Sequence, residues 1–342
     1  MRCLTLADGL GKAGAQIRFV CRQLPVDSRQ ILAERGYELV VLEPTPQEPL
    51  QLELEHSHWL ATTQQQDARA CREALSDRKW DWLIVDHYAL DYRWENELRS
   101  STRRFMVIDD LVDRKHDCDL LLDQTFNRRK EEYRQWVPQQ CVLLTGANYS
   151  LLRSEFKKMR EYSLSRRLVP PDLGKLLITL GGIDKDNITR ELISELATSS
   201  LPQHCQITFL MGRNAPWLDS VRRQAEKLPW QTHVKVAVHN IAELMAESDL
   251  AIGAAGSTAW ERCCLGLPTI LILLASNQKD IAERLDQAGS VVLIEAISEI
   301  PGTISYLRKH PDKLTELSRI SSKITDGTGV EMVAREMVNA RA

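Results

Sequence analysis

Residues 249–278 read "DLAIGAAGSTAWERCCLGLPTILILLASNQ", and this stretch decides the fold. An apolar strand runs into Gly253 and Gly256. Ser257 and Thr258 then open a helix with Glu261 in its first turn, and a second apolar strand follows. Strand, glycine turn, helix and strand make one unit of parallel α/β architecture. Glycines let a backbone come close to a ligand, and the N–H groups at a helix start attract phosphate. Glu261 is badly placed against phosphate, but its carboxylate suits a pair of ribose hydroxyls. A blander reading stays open on this pattern alone: Ser257 caps the helix and Glu261 complements its dipole.

The same rhythm runs outward in both directions. Towards the N-terminus the strand candidates are "QIRFVCR", "ELVVL", "DWLIVDHY", "RFMVIDD" and "CDLLLDQ", with helical stretches such as "DARACREALSDR" and "YRWENELRSS" between them. The second half adds "KLLITLGG", "QITFLMG", "HVKVAVH", "DLAIGAAG", "PTILILLA" and "SVVLI". Such alternation argues for parallel sheets covered on both faces. "LSRRLVPPDLGK" has the composition of a linker, which predicts a boundary near Pro170 and domains over 1–165 and 172–342. The opening "MRCLTLADGLGKAG" predicts a helix from Leu4, Leu6 and Leu10, ended by Gly9, Gly11 and Gly14. The tail "GVEMVAREMVNARA" reads as a last amphipathic helix.

Bulk properties narrow the function classes. The 342 residues suffice for two domains, and a net charge of -3 gives no general attraction to nucleic acid or anionic membrane. No apolar run approaches the roughly 20 residues of a membrane span, and the start shows no export signal. The 8 cysteines are scattered without a C-x-x-C pair, which suits reduced thiols in a cytoplasm and argues against a metal centre. Neither nucleic acid nor a membrane is an expected partner.

In parallel sheets ligands bind beyond the carboxyl ends of the strands. There the second half offers Gly181 and Gly182, as a turn or as an approach to phosphate or sugar, and Asn277 and Gln278, as sugar-binding amides or helix caps. The first half offers Asp86, His87 and Tyr88, of which only some can share a face because strand neighbours alternate. Asp109 and Asp110 are candidates for turns, caps or metal.

Taken together, "MRCLTLADGL", "DWLIVDHYALD", "VIDDLVDRKHDCDLLLDQ", "GANYSLLRSEF", "LITLGGIDKDN" and "GAAGSTAWERCCLGLPTILILLASNQ" resemble the UDP-2,4-diacetamido-2,4,6-trideoxy-β-L-altropyranose hydrolases of pseudaminic acid biosynthesis, a route to flagellin glycosylation. The resemblance implies two Rossmann-like domains facing a cleft (GT-B type), with UDP in the C-terminal one and a final helix that crosses back. It implies that Gly256, Ser257 and Thr258 hold the pyrophosphate and Glu261 the ribose. The strand end around Ile241 would meet uracil through its backbone, Asn277 and Gln278 would face the sugar, and Tyr88 would reach the sugar from the N-terminal domain. Gly181 and Gly182 belong to the implied substrate site. The implied reaction is attack of water on the anomeric carbon of a UDP-sugar, by a cytoplasmic monomer without metal or cofactor.

In that family a first strand and glycine-rich loop carry the general-base His, followed by a sequence like Met1-Arg2-Cys3. The resemblance therefore implies an N-terminal domain lacking its first strand, about 15–20 residues judged by ordinary strand and turn lengths. It leaves the catalytic base unassigned, with Tyr88 and Asn277 in support. Met1 is then expected to be an internal methionine of a longer reading frame, a degraded enzyme being the alternative. Rival readings are a UDP-sugar glycosyltransferase of the GT-B type and a sugar-nucleotide-binding pseudoenzyme.

Overall fold

The computed structural model describes residues 1–44, 54–181, 183–238, 240–275 and 278–340. These residues fall into two compact units, Met1–Leu151 with Val330–Ala342, and Leu152–Gly329.

In the first unit the strands are β1 (Arg18–Cys21), β2 (Glu38–Val41), β3 (Trp80–Val85), β4 (Thr102–Ile108), β5 (Leu120–Asp123) and β6 (Val142–Thr145). All pair in parallel, but in two ladders, β1-β2 and β3-β4-β5-β6. Among the described residues no strand pairs with β1 on the side away from β2, or with β3 on the side away from β4. Side chains alternate along β4. Phe105 and Val107 join Leu121, Trp94 and Leu98 in one core, where Val20 and Val40 of the smaller ladder also pack. Met106 and Ile108 face the other way, towards Leu6, Leu10, Val333 and Met337. The sheet is thus covered on both faces, as near-continuous apolar strands require.

The Arg2–Lys12 helix forms, but it runs through Gly9 and Gly11, and the backbone turns only at Gly14, whose φ is +86°. Gly9 is there for a neighbour: a Cβ on it would stand 2.3 Å from Val330 Cγ1 in the Gly329–Asn339 helix. Strand β6 lies in "QQCVLLTGA", a run too short and too flanked by polar residues for its pattern to declare it.

The second unit holds β7 (Lys175–Thr179), β8 (Gln206–Met211), β9 (Gln231–Val236), β10 (Leu250–Ala254), β11 (Thr269–Ile272) and β12 (Val292–Ile294). They make one parallel sheet in the order β12-β11-β10-β7-β8-β9. The division between units falls ahead of the Ser154–Arg166 helix rather than near Pro170. Polar side chains bind that helix to the second unit. Ser163 Oγ donates to the Leu265 carbonyl at 2.7 Å, Arg160 to the Ser322 carbonyl at 2.7 Å, and Arg167 to the Ser248 carbonyl at 2.7 Å. Among the described residues no helix is long and apolar enough to cross a membrane.

Strand pairing sets an expected order of local stability in the first unit. By hydrogen exchange, amides of β4 and β5, flanked on both sides, exchange slowest, and those of β1 and β2 markedly faster. Equal protection across the two ladders would contradict the break between them.

Candidate functional site

Strand order locates the site in the second unit. The chain winds outward from β7 through β8 to β9, and from β10 through β11 to β12, so the order reverses between β7 and β10. At such a reversal the loops leave the sheet in opposite directions and open a crevice at the carboxyl edge. Its walls are the turns after β7 and after β10.

The turn after β7 begins at exposed Gly181, whose φ of +106° is a conformation that glycine adopts without strain. The helix start beyond it already holds an anion. Asp184 accepts from the Ile188 N–H at 2.8 Å and from the Thr189 N–H at 3.0 Å. This helix terminus therefore uses its own carboxylate where a phosphate would sit.

The turn after β10 is different. Ser257 occupies the cap position of the Thr258–Cys264 helix, but its side chain makes no capping bond, and it is exposed. Gly256 has open room: a Cβ there would find nothing nearer than Gln278 Nε2, at 3.8 Å. The first N–H groups of any helix lack partners within it. Thr258 Oγ1 accepts from Arg262 Nη1 at 3.2 Å, so its own proton remains available to donate.

Two buried oxygens near this turn have no hydrogen-bond partner, Glu261 Oε2 and Gln278 Oε1. Burial pushes the Glu261 carboxyl up to about 7, against the pull of Arg153 and Arg262. Arg153 Nη2 lies 3.6 Å from Glu261 Oε1, while Nη1 of the same guanidinium pairs with Glu155 Oε1 at 3.0 Å. A buried carboxylate with one oxygen unpaired is costly unless something donates to it.

Gly253 has a role other than the expected approach of a ligand. A Cβ on it would stand 2.6 Å from Arg262 Nη1 and 2.8 Å from Cζ. Arg262 is fully buried and donates from Nη2 to the Ala254 carbonyl at 2.7 Å. Desolvation lowers its guanidinium to about 10, so it stays charged at neutral pH. Ile241 does not end a strand. It opens the Ile241–Glu247 helix, five residues after β9 finishes at Val236. Gly182 and Asn277 lie outside the described residues.

In the first unit the carboxyl edge gathers charge. Tyr88 donates its hydroxyl to Asp110 Oδ1 at 2.6 Å, and Arg2 bridges Asp110 at 3.1 Å and Asp86 at 2.7 Å. Asp86 and Tyr88 thus share this cluster, Asp86 just past the end of β3 and Tyr88 in the turn that follows. Burial would raise the Asp86 carboxyl, but the Arg2 guanidinium outweighs it and holds it below the ordinary range. Burial and then Asp110 push the Tyr88 phenol well up, so it acts as a hydrogen-bond donor. His87 turns aside: its Nδ1 accepts from the Ala89 N–H at 3.1 Å, and burial lowers its pKa. Asp109 is committed elsewhere, to Arg114 at 2.8 Å and the Tyr133 hydroxyl at 2.9 Å.

Comparison with known proteins fits this division. Residues 176–327 match the glycosyltransferase family 28 C-terminal domain. The chain is 26% identical to the UDP-2,4-diacetamido-2,4,6-trideoxy-beta-L-altropyranose hydrolase of Campylobacter jejuni, over 63% of this chain and 74% of that one. It is 23% identical to the spore coat polysaccharide biosynthesis protein SpsG of Bacillus subtilis, over 81% of this chain and 82% of that one. Among solved structures, MurG of Acinetobacter baumannii superposes with a TM-score of 0.69 at 12% identity, covering 99% of this chain and 95% of that one. The fold is α/β of the GT-B type, with two Rossmann-like units.

Arg153 and Arg262 were not among the residues expected from sequence. Nothing in the sequence itself links Arg153 to a carboxylate 108 positions away (261 − 153). Arg262 had a signal, since a glycine inside the preceding strand often marks a close approach.

The seat of Arg262 is testable. Gly253→Ala should destabilise the protein by about 1–3 kcal/mol through overpacking, read as a lower melting temperature. An unchanged melting temperature would show that the guanidinium does not press on β10.

Proposed function

We propose that the second unit binds the UDP moiety of a UDP-sugar, and that the protein hydrolyses this sugar nucleotide to UDP and free sugar. One observation carries the nucleotide assignment: at the strand-order reversal, an uncapped glycine turn stands beside a half-buried glutamate whose inner oxygen is unpaired. Backbone N–H groups of Gly256, Ser257 and Thr258 would meet the pyrophosphate, and Glu261 would accept from the ribose hydroxyls. Gln278, and with it Asn277, would serve the sugar. The turn at Gly181 and Gly182 and the backbone near Ile241 would complete the nucleotide's surroundings.

Hydrolysis is supported by the activity of the Campylobacter jejuni relative, and Tyr88 is the residue assigned to the sugar on the first unit's edge. On the same reading the substrate is a 2,4-diacetamido-2,4,6-trideoxy sugar used for pseudaminic acid. A second reading, transfer of the sugar to an acceptor, is favoured by the family 28 match over residues 176–327. The two separate cleanly. The hydrolase releases free reducing sugar from UDP-sugar in the absence of acceptor, whereas a transferase gives none until an acceptor is supplied. UDP binding without either product would mark a pseudoenzyme.

Removing the carboxylate should weaken UDP strongly. A hydrogen bond to a charged group contributes about 1.5–3 kcal/mol, so Glu261→Ala should raise the calorimetric Kd of UDP roughly ten- to a hundredfold. Unchanged affinity would end the ribose assignment.

The raised carboxyl adds a pH signature. The free protein takes up a proton at Glu261 as pH falls through about 7, and the neutral acid is the poorer acceptor. UDP affinity should therefore fall below pH 7, by up to about tenfold per unit for one competing proton. UDP phosphate also titrates, so the test is the difference between wild type and Glu261→Gln. Identical profiles would show that Glu261 does not titrate against the ligand.

A further inference from the structure

We propose that Cys118 and Cys141 form an oxidation site, where a hydroperoxide converts two thiols into a disulfide that locks β5 to β6. Their sulfurs are 3.6 Å apart, in hydrogen-bond contact, and both residues are buried. They lie 23 positions apart in the chain, at the amino ends of neighbouring parallel strands. The ladder starts beside them: the Val142 N–H donates to the Asp119 carbonyl at 2.9 Å, and Leu120 pairs with Val142. Neighbouring strands run about 4.8 Å apart, inside the Cα span that a disulfide tolerates. The bond therefore asks for an approach of side chains rather than a rearrangement of strands.

Their surroundings give the two thiols different parts. Cys118 is the fixed one. Arg99 binds the residues on either side of it, Asp117 at 2.9 Å and Asp119 at 2.7 Å, and the Asp117 N–H donates to buried Glu95. The Cys141 contact, and then burial, push the Cys118 thiol well above its ordinary range. Cys141 instead closes a turn. Its N–H donates to the Pro138 carbonyl at 2.9 Å, and Gln139 and Gln140 within that turn are exposed. Surface turns open at lower cost than paired strands, so a reagent in solvent reaches Cys141 first.

The chemistry balances with hydrogen peroxide as oxidant. The Cys141 sulfur attacks one peroxide oxygen, the O–O bond breaks, and water leaves with the thiol proton, giving a sulfenic acid. The Cys118 sulfur then attacks the Cys141 sulfur, the S–O bond breaks, and a second water carries off the Cys118 proton. Two electrons pass from the two sulfurs to the peroxide oxygens. Both cysteines stand at the amino end of their ladder, away from the carboxyl edge where Asp86, Tyr88 and Asp110 gather. The crosslink thus tightens the sheet without touching that cluster, and it is independent of the sugar-nucleotide reading.

The test treats the folded full chain with hydrogen peroxide, at a dose that oxidises free cysteine in parallel. Remaining thiols are blocked with N-ethylmaleimide before digestion. Peptide mass spectrometry should find a Cys118–Cys141 pair two hydrogens lighter than the reduced peptides, and dithiothreitol should reverse it. Closing this loop should raise the melting temperature by about 5–10 °C. In Cys118→Ser the sulfenic acid should persist at Cys141 and be captured by dimedone, whereas Cys141→Ser should give no adduct at Cys118. A pair that stays reduced in the folded protein, or that links only in urea, shows that there is no oxidation site. Linkage with an unchanged or lower melting temperature contradicts the lock. A dimedone adduct at Cys118 in Cys141→Ser overturns the assignment of Cys141 as the thiol attacked first.

Discussion

The carboxyl edge of the second unit, at the turn after β10, depends on one buried cation. Arg262 lies within the Thr258–Cys264 helix, and its guanidinium reaches back to the Ala254 carbonyl and the Thr258 hydroxyl. The space it fills exists because Gly253 has no side chain. Strand end, turn and first helical residues are thereby held in one geometry. A buried charge is expensive, and each hydrogen bond to it contributes about 1.5–3 kcal/mol. This turn can therefore leave its outer face, at Gly256 and Ser257, without capping contacts and still keep its shape. Positive charge beneath the turn also favours an anion above it.

The first unit divides its charged groups between two networks. Asp109 and Asp123 both accept from the Tyr133 hydroxyl at 2.9 Å, with Arg114 and Arg128 as their countercharges. That network joins the ends of β4 and β5 and is deeply buried. Asp110, one residue along, faces the other way towards Tyr88 and Arg2. Adjacent aspartates at a strand end thus serve opposite purposes, because consecutive side chains point to opposite faces.

Much of this was legible in the sequence, for physical reasons. Strands buried on both faces are written as continuous apolar runs, so β7, β8, β10 and β11 announce themselves. The β10 turn was marked by Gly253, Gly256 and Glu261 together. What the sequence withheld depends on long-range packing. Gly253 was read as a place for a ligand to approach, because nothing local shows that Arg262 will press against it. Gly9 looked like a helix end because nothing local shows that Val330 will press against it. The Pro-Pro segment looked like a boundary, yet the helix before it is tied to the second unit by arginine bonds to carbonyls 78–165 residues away. The resemblance placed a strand end around Ile241, but β9 stops at Val236 and Ile241 opens a helix.

The most direct measurement is a crystal structure of the protein soaked with UDP. The ribose hydroxyls should lie about 3 Å from Glu261, with the diphosphate against the N–H groups of Gly256, Ser257 and Thr258. UDP seated at the helix start beyond Gly181, displacing Asp184, or anywhere that leaves Glu261 Oε2 unpaired, would contradict it.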